Sequence, residues 1–150
     1  MGISDDIKQT KFKSELSKAF INIIYTNNWL VQRQVVVFKP YGLTTPQFNI
    51  LRILRGQQPN PATINLLIDR MLDKSSNASR IVDKLESKGF VARKQCAEDR
   101  RAVDVVITEK ALTMLKEIDA AMQEWEQANS NLSEEECHQL NLLLDKLRTQ

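Results

Sequence analysis

The residues best suited to chemistry in this chain form a charged cluster, Glu98-Asp99-Arg100-Arg101, between two β-prone runs, Phe90 to Cys96 and Ala102 to Thr108. An acid beside an arginine can serve as a catalytic pair, as an ordinary solvated turn, or as a finger that reaches a polyanion. Catalysis needs desolvation and exclusion of water, and the tip of a hairpin is exposed. The catalytic interpretation is therefore weak.

The rest of the sequence offers little else for an enzyme. The single histidine, His138, follows a run of glutamates and is best interpreted as a solvated surface residue. The two cysteines, Cys96 and Cys137, are too few and too far apart for a disulfide framework or a four-ligand zinc site. There is no glycine-rich phosphate loop and no histidine–carboxylate cluster with metal spacing. We therefore expect a protein that is not an enzyme and has no cofactor or metal.

Charge is distributed unevenly along the 150 residues, whose formal net charge is +2. Residues 70–101 carry nine lysines and arginines against five acids, whereas residues 102–150 carry four against ten. A basic middle beside an acidic tail indicates one face for an anionic partner. No apolar run approaches the roughly 18 residues of a membrane span, and the N-terminus lacks the apolar core of a signal peptide. We expect a cytoplasmic protein with no membrane partner.

Two short helices joined by a tight turn lie in the basic region. The first, in "TINLLIDRML", has Thr63 as its N-cap, and the second, in "SNASRIVDKLESKGF", has Ser75 or Ser76 as its cap and ends at Gly89. The helix before them, in "LTTPQFNILRILRGQ", has Thr45 as its N-cap. This order predicts a helix-turn-helix motif followed by a hairpin.

The first turn of the second helix carries short polar side chains and then a cation, which can reach base edges in a major groove. A solvated polar cap is the alternative, but a basic hairpin one helix later favours DNA, with an arginine entering the minor groove. Asp99 is unfavourable near phosphate, so we expect it to pair with Arg101 and fix the tip. The candidate DNA-binding residues are Ser75, Ser76, Asn77, Ser79, Arg80, Lys84, Arg93, Lys94, Arg100 and Arg101.

Both ends of the chain form helices with more apolar surface than one helix can bury. The long first helix ends at "KPYG", Thr108 caps the helix after the hairpin, and a capping box from Ser133 to Glu136 opens the last one. We predict that these helices meet one another and a second copy of the chain.

The expected fold is a single domain, mainly α with a small β-hairpin wing. Residues 44–107 contain the helix-turn-helix and the hairpin, and residues 1–39 and 108–150 contain the helices that we predict to meet a second copy.

These residues carry a resemblance. "SNASRIVDKLESKGFVARKQCAEDRRAVDVVITEKAL" is similar to the recognition helix and wing of the multiple-antibiotic-resistance regulator (MarR) family, and "YGLTTPQFNILRIL" resembles the family's second helix. The likeness covers nearly the whole chain, although "TINLLIDRML" departs from the family, which usually has a Leu-Ala pair and small residues there. The matching positions are Arg80, Val82, Asp83, Leu85, Lys88, Gly89, Val91, Arg93, Asp99, Arg101, Thr108, Glu109 and Lys110.

The resemblance implies a winged-helix homodimer that binds a palindromic operator in double-stranded DNA, usually as a repressor, and releases it when an effector binds. The implied effector pocket between the dimer region and the DNA-binding lobe favours Trp29, Arg33 and Phe38. Members of the family that sense oxidants carry a reactive cysteine near the N-terminus, and this chain has none there. The resemblance therefore favours a regulator with a small-molecule effector, or an orphan regulator, over an oxidant sensor. The alternative function is a winged-helix protein-interaction module whose basic face meets an acidic protein.

Overall fold

Helices and one small sheet make up the chain. A computed structural model describes residues 2–95, 97–99 and 102–149. Within these ranges there are seven α-helices, one 3₁₀ helix and three strands. They are α1 (Ile3–Asp6), α2 (Glu15–Phe38), the 3₁₀ helix Lys39–Tyr41, α3 (Thr45–Gln57), β1 (Ala62–Thr63), α4 (Ile64–Arg70), α5 (Ala78–Ser87), β2 (Val91–Gln95), β3 (Val103–Ile107), α6 (Glu109–Asn129) and α7 (Glu134–Arg148).

Side-chain caps begin the helices around the sheet and at the C-terminal end, as predicted. The Thr63 hydroxyl accepts a hydrogen bond from the Leu66 amide at 3.2 Å, and the Thr108 hydroxyl accepts one from Ala111 at 3.3 Å. Ser133 and Glu136 form the predicted capping box of α7. The starting points of α4, α6 and α7 are thus confirmed.

Helix α3 starts one residue earlier than predicted. Thr44, not Thr45, is its N-cap: its hydroxyl accepts from the Gln47 amide at 3.3 Å, and the Gln47 side chain accepts from the Thr44 amide at 3.1 Å. A capping box needs Gln or Glu three residues after the cap, and only Thr44 has one. Pro46 consequently lies within the first turn, where its missing N–H leaves no hydrogen bond unmade.

The sheet is antiparallel with the order β1-β3-β2. The predicted hairpin is confirmed, with Val91 opposite Ile107. Strand β1 was not predicted, because two residues after "PNP" are too short to show alternation. It pairs Ala62 with Val105, which is fully buried. This third strand joins the start of the helix-turn-helix to the wing.

One continuous core connects the helix-turn-helix, the wing and the first half of α6. Helix α3 lies at its centre and contacts α2, α4, α5 and β3. At the end of α2, the ring of Phe38 stacks on Phe48 with centroids 4.4 Å apart. The largest fully buried side chains are Phe38, Ile50, Leu51, Leu54, Leu67, Leu85, Leu115, Ile118, Val82 and Val105.

The helices at the two chain ends leave apolar surface exposed. Within Glu134–Arg148 no residue is buried, and Phe38 is the one buried residue of Glu15–Phe38. In the described residues, no helix is long and apolar enough to cross a membrane. The exposed apolar side chains of α2 and α7 include Leu16, Phe20, Ile23, Ile24, Leu30, Val31, Val35, Val36, Leu140, Leu142, Leu143 and Leu147.

Two leucines, one within α4 and one just after it, give a matched test of this core. Leu67 is fully buried, whereas Leu72 is 86% exposed. Leu67→Ala should lower the free energy of unfolding by about 2–5 kcal/mol, because it removes packed methyl groups and leaves a cavity. Leu72→Ala should change it by less than about 0.5 kcal/mol. Urea titration followed by circular dichroism measures both values, and equal losses would contradict this core.

Candidate nucleic-acid interface

The turn between α4 and α5 is organised by Asp73. One carboxylate oxygen accepts hydrogen bonds from the Ser75 amide at 2.9 Å and the Ser75 hydroxyl at 2.6 Å, and the other accepts from the Ser76 hydroxyl at 3.0 Å. The Ser75 hydroxyl, the Ser75 amide and the Ser76 hydroxyl hold the pKa of Asp73 below its usual value. We did not identify Asp73 from the sequence, although Asp followed by Ser two residues later is a recurrent local turn.

Asn77 is the N-cap of α5, which corrects the prediction that Ser75 or Ser76 has this role. The Asn77 side-chain oxygen accepts from the Arg80 amide at 3.1 Å. Both serine hydroxyls instead donate to Asp73. The cap commits the Asn77 oxygen, so its NH₂ group is the part suited to donate to a base acceptor.

Helix α5 separates buried and exposed residues as a recognition helix requires. The predicted stripe is confirmed for Val82 and Leu85, which are fully buried, while Ile81 is half-buried. On the opposite side, Ser79 and Arg80 are exposed. The helix thus packs through its apolar face and presents its polar first turn to solvent.

A shallow groove of about 220 Å³ runs between the start of α3 and the exposed side of α5. The Lys88 ammonium, at the end of α5, donates to the Gly42 carbonyl and lies 3.4 Å from the side-chain oxygen of Gln47, which lines the groove. Several predicted DNA-binding residues of the turn and of α5 therefore lie beside the N-terminus of α3 on one surface. The groove is lined by Thr44, Pro46, Gln47, Ser76, Asn77, Arg80, Ile81 and Lys84.

The wing follows α5 directly. Lys94 on β2 is exposed, and the Ala102 amide donates to the Asp99 carbonyl at 3.0 Å, which closes the described part of the tip. Arg100 and Arg101, and with them the predicted Asp99–Arg101 ion pair, lie outside the described residues, as does Cys96.

Arg93 is held within the lobe. Its guanidinium forms ion pairs with Asp83 and Glu86 of α5, and its side chain is 29% exposed. It thus differs in exposure from Lys94, its exposed neighbour on the same strand. The sequence prediction did not distinguish the two cations.

Of the three candidate effector residues, two lie together and one does not. The Arg33 guanidinium lies 4.6 Å from the centre of the Trp29 ring and donates to the Asn129 side chain at 3.0 Å. Phe38 is 1% exposed and stacked on Phe48, so it belongs to the core and not to an open pocket. An apolar residue at the end of a helix gives the same pattern in sequence whether it lines a pocket or fills a core.

A contact between the lobe and the C-terminal helices was not predicted. Arg55 of α3 makes a two-pronged ion pair with Asp119 of α6, with distances of 2.7 and 3.1 Å. A small cavity of about 170 Å³ lies next to it, between α3 and α6. Pairings across 64 residues of sequence leave no local signal.

Comparison with known proteins agrees with this geometry. The MarR family profile matches residues 43–103. MgrA, an HTH-type transcriptional regulator of Staphylococcus aureus, is 31% identical over 111 residues, which cover 74% of each chain. A MarR transcription factor from Planctomyces limnophilus has a crystal structure that is 26% identical, with a TM-score of 0.68, covering 90% of this chain and 98% of that one.

A third similar protein is BpsR of Bordetella bronchiseptica, whose structure concerns regulation of its DNA binding by 6-hydroxynicotinic acid. It is 20% identical, with a TM-score of 0.75, and covers 94% of this chain and 99% of that chain. At this identity the likeness shows the fold.

The helix-turn-helix, the hairpin and the short third strand define a winged-helix protein of the transcription-regulator class. Within that class, the chain belongs to the MarR family of DNA-binding transcription regulators.

Two substitutions at Asn77 separate capping from DNA recognition. Asn77→Ala removes the cap of α5 and should cost about 0.5–2 kcal/mol of stability. Asn77→Asp keeps a capping oxygen, so its thermal stability should match or exceed that of the wild type. The Asp variant should nevertheless bind DNA more weakly, because its carboxylate adds a negative charge beside phosphates and removes the NH₂ donor. Differential scanning fluorimetry and fluorescence anisotropy measure the two effects, and an Asp variant with full DNA affinity would contradict the assignment.

Proposed function

We propose that the chain is a homodimeric repressor that binds a palindromic operator and releases it when a small molecule binds. The observation that carries the proposal is the pair of exposed apolar faces on α2 and α7, in a chain whose recognition helix is already in place. A second copy covers those faces and supplies the second recognition helix.

The dimer is supported by the amount and position of apolar surface. A groove of about 350 Å³ lies between α2 and α7 and has mostly apolar walls. Contiguous apolar surface of this kind marks association sites in soluble proteins. Two-fold symmetry lets the same patch serve on both chains. The groove is lined by Asn22, Ile23, Thr26, Asn27, Leu30, Leu140 and Leu144.

The palindrome follows from this symmetry. Two recognition helices related by a two-fold axis meet successive major grooves about 34 Å apart, which corresponds to a site of roughly 16–20 base pairs. Occupation of such a site over a promoter blocks transcription, which makes repression the expected outcome.

Within each half-site we assign a separate type of DNA contact to each group of residues. The turn and the first turn of α5 read bases, with Asn77 and Arg80 as the main donors and Ser75, Ser76 and Ser79 in support. Lys84 and Lys94 are exposed cations that contact phosphates. For the tip, we keep the proposal that Arg100 and Arg101 reach DNA and that Asp99 holds Arg101.

The effector is proposed to act where the lobe meets the C-terminal helices. BpsR, the similar protein whose DNA binding is regulated by 6-hydroxynicotinic acid, supports small-molecule control. In this chain Arg55 with Asp119 joins the lobe to α6, and Arg33 with Asn129 joins α2 to the end of α6. A ligand that inserts there changes the angle of the lobe and hence the spacing of the recognition helices. Trp29 under Arg33 is a built-in fluorescent reporter for ligands at this place.

The operator can be found by sequencing the genomic fragments that the purified protein retains. We expect an inverted repeat whose half-sites lie one helical turn apart, and affinity that falls about 10³–10⁵-fold between 50 and 200 mM salt, since roughly 6–10 phosphates are contacted. Fluorescence anisotropy at graded salt concentrations measures this slope. No binding even at low salt, or an asymmetric site bound by a single chain, would refute the proposed function.

The dimer is tested with a pair of exposed leucines. Leu143 on α7 is 65% exposed, and Leu72, which follows α4, is 86% exposed. Leu143→Asp should give a monomer, because burying an unpaired charge in an interface costs several kcal/mol. Leu72→Asp should remain dimeric. Sedimentation velocity gives both masses, and a dimeric Leu143→Asp variant would exclude this face.

A further inference from the structure

The side chain of Arg93 extends from β2 to the recognition helix α5. Across the sheet its Cα lies opposite Val105. Its guanidinium pairs with Asp83, approaches the Glu86 carboxylate at 3.4 Å and donates to the Ser79 carbonyl at 3.4 Å. Its main-chain amide also donates to Glu86 at 3.4 Å. One side chain of the wing thus contacts both turns of α5 that lie beneath it.

The spacing of these partners explains why an arginine is needed. Positions 79, 83 and 86 are separated by four and three residues, so they share one face of the helix. The planar guanidinium can direct one nitrogen to the carboxylates and the other to the carbonyl at the same time. Lysine, with one compact ammonium group, cannot hold this geometry.

The pairing of Arg93 with Asp83 and Glu86 also changes the net charge of the surface around α5. The side chains of Asp83 and Glu86 are 58% and 42% exposed, on the same helix as Arg80 and Lys84. Unpaired carboxylates on a helix presented to DNA repel the phosphates. Arg93 compensates part of this negative charge without leaving the lobe.

We propose that Arg93 is a positioning residue for DNA recognition: it fixes the wing to α5 and neutralises Asp83 and Glu86, and it does not contact DNA. This inference rests on the proposed function for its DNA readout. It deepens that function, since it assigns the angle between recognition helix and wing to one side chain.

The test is a double-mutant cycle between Arg93→Ala and the pair Asp83→Asn with Glu86→Gln, measured as operator affinity. In the otherwise wild-type protein, Arg93→Ala should weaken binding about tenfold, within the range found for coupled neighbours. In the Asn/Gln background the same change should have less than about a twofold effect, because its partners are gone. Equal losses in both backgrounds would mean that Arg93 contacts DNA directly and would overturn the proposal.

Lys94→Ala is the matched control. It removes one positive charge from the next position of the same strand, whose side chain points to the other face. If Lys94 contacts a phosphate, Lys94→Ala should lower operator affinity by the same factor in the wild-type and Asn/Gln backgrounds. It should also reduce the slope of log affinity against log salt concentration by about 0.9.

Arg93→Lys keeps the positive charge but not the planar guanidinium, and it provides the same test if the alanine variant does not fold. The proposal expects the lysine variant to bind weakly in the wild-type background and normally in the Asn/Gln background. A direct phosphate contact expects near-wild-type binding in both, which would overturn the proposal.

A readout without DNA separates this inference from the proposed function. Hydrogen exchange of the β2 amides in the free protein should speed up in Arg93→Lys and Arg93→Ala, and not in Lys94→Ala. Unchanged exchange in the Arg93 variants would refute the positioning role. If the wild type binds no operator, the proposed function fails, whereas the exchange result still decides whether Arg93 holds the wing.

Discussion

Helix α3 contacts α2, α4, α5 and β3, and its residues Ile50, Leu51 and Leu54 are buried in the shared core. The placement of α5 and of the wing depends on this burial, because each covers part of the same apolar surface. The Phe38–Phe48 stack extends it to the end of α2. Close-packed interiors transmit strain, and in the proposed mechanism this core carries a movement of α2 or α6 to the recognition helix.

On the proposed DNA-binding surface, acidic residues are tolerated because they are partnered. Asp73 accepts three hydrogen bonds from the serines that follow it, and Asp83 and Glu86 lie against Arg93. Their low cost near phosphates depends on those partners. These acids shape the turn and the wing, while the exposed cations remain for DNA. Removing such an acid therefore has two opposed effects, loss of shape and gain of positive charge, and the balance differs from site to site.

Local patterns were enough to predict most elements, and tertiary pairings were not. Thr63, Thr108 and the Ser133–Glu136 box are caps whose partners lie within three residues, so the sequence contains the whole interaction. The error at Asn77 arose because Ser75 and Ser76 are equally good caps in isolation and Asp73 competes for them. Strand β1 and the Arg55–Asp119 pair connect segments that are distant in sequence. Composition and periodicity describe only local stretches, so they could not predict these pairings.

In the proposed dimer, the helices at the chain ends couple dimer formation to the orientation of the DNA-binding lobe. Helix α7 has 15 residues and buries none of them in one chain, and isolated helices of roughly 12–15 residues are marginal in water. Its stability must then come from the partner's apolar face, so dimer formation and ordering of α7 are one equilibrium. Since α6 leads into α7 and packs against the core through Leu115 and Ile118, the same equilibrium sets the orientation of the DNA-binding lobe. In the proposed dimer, a small molecule at the junction of α3 and α6 would therefore act on a lobe whose orientation depends on dimerisation. It can shift the equilibrium between two lobe orientations by no more than its difference in binding free energy for the two.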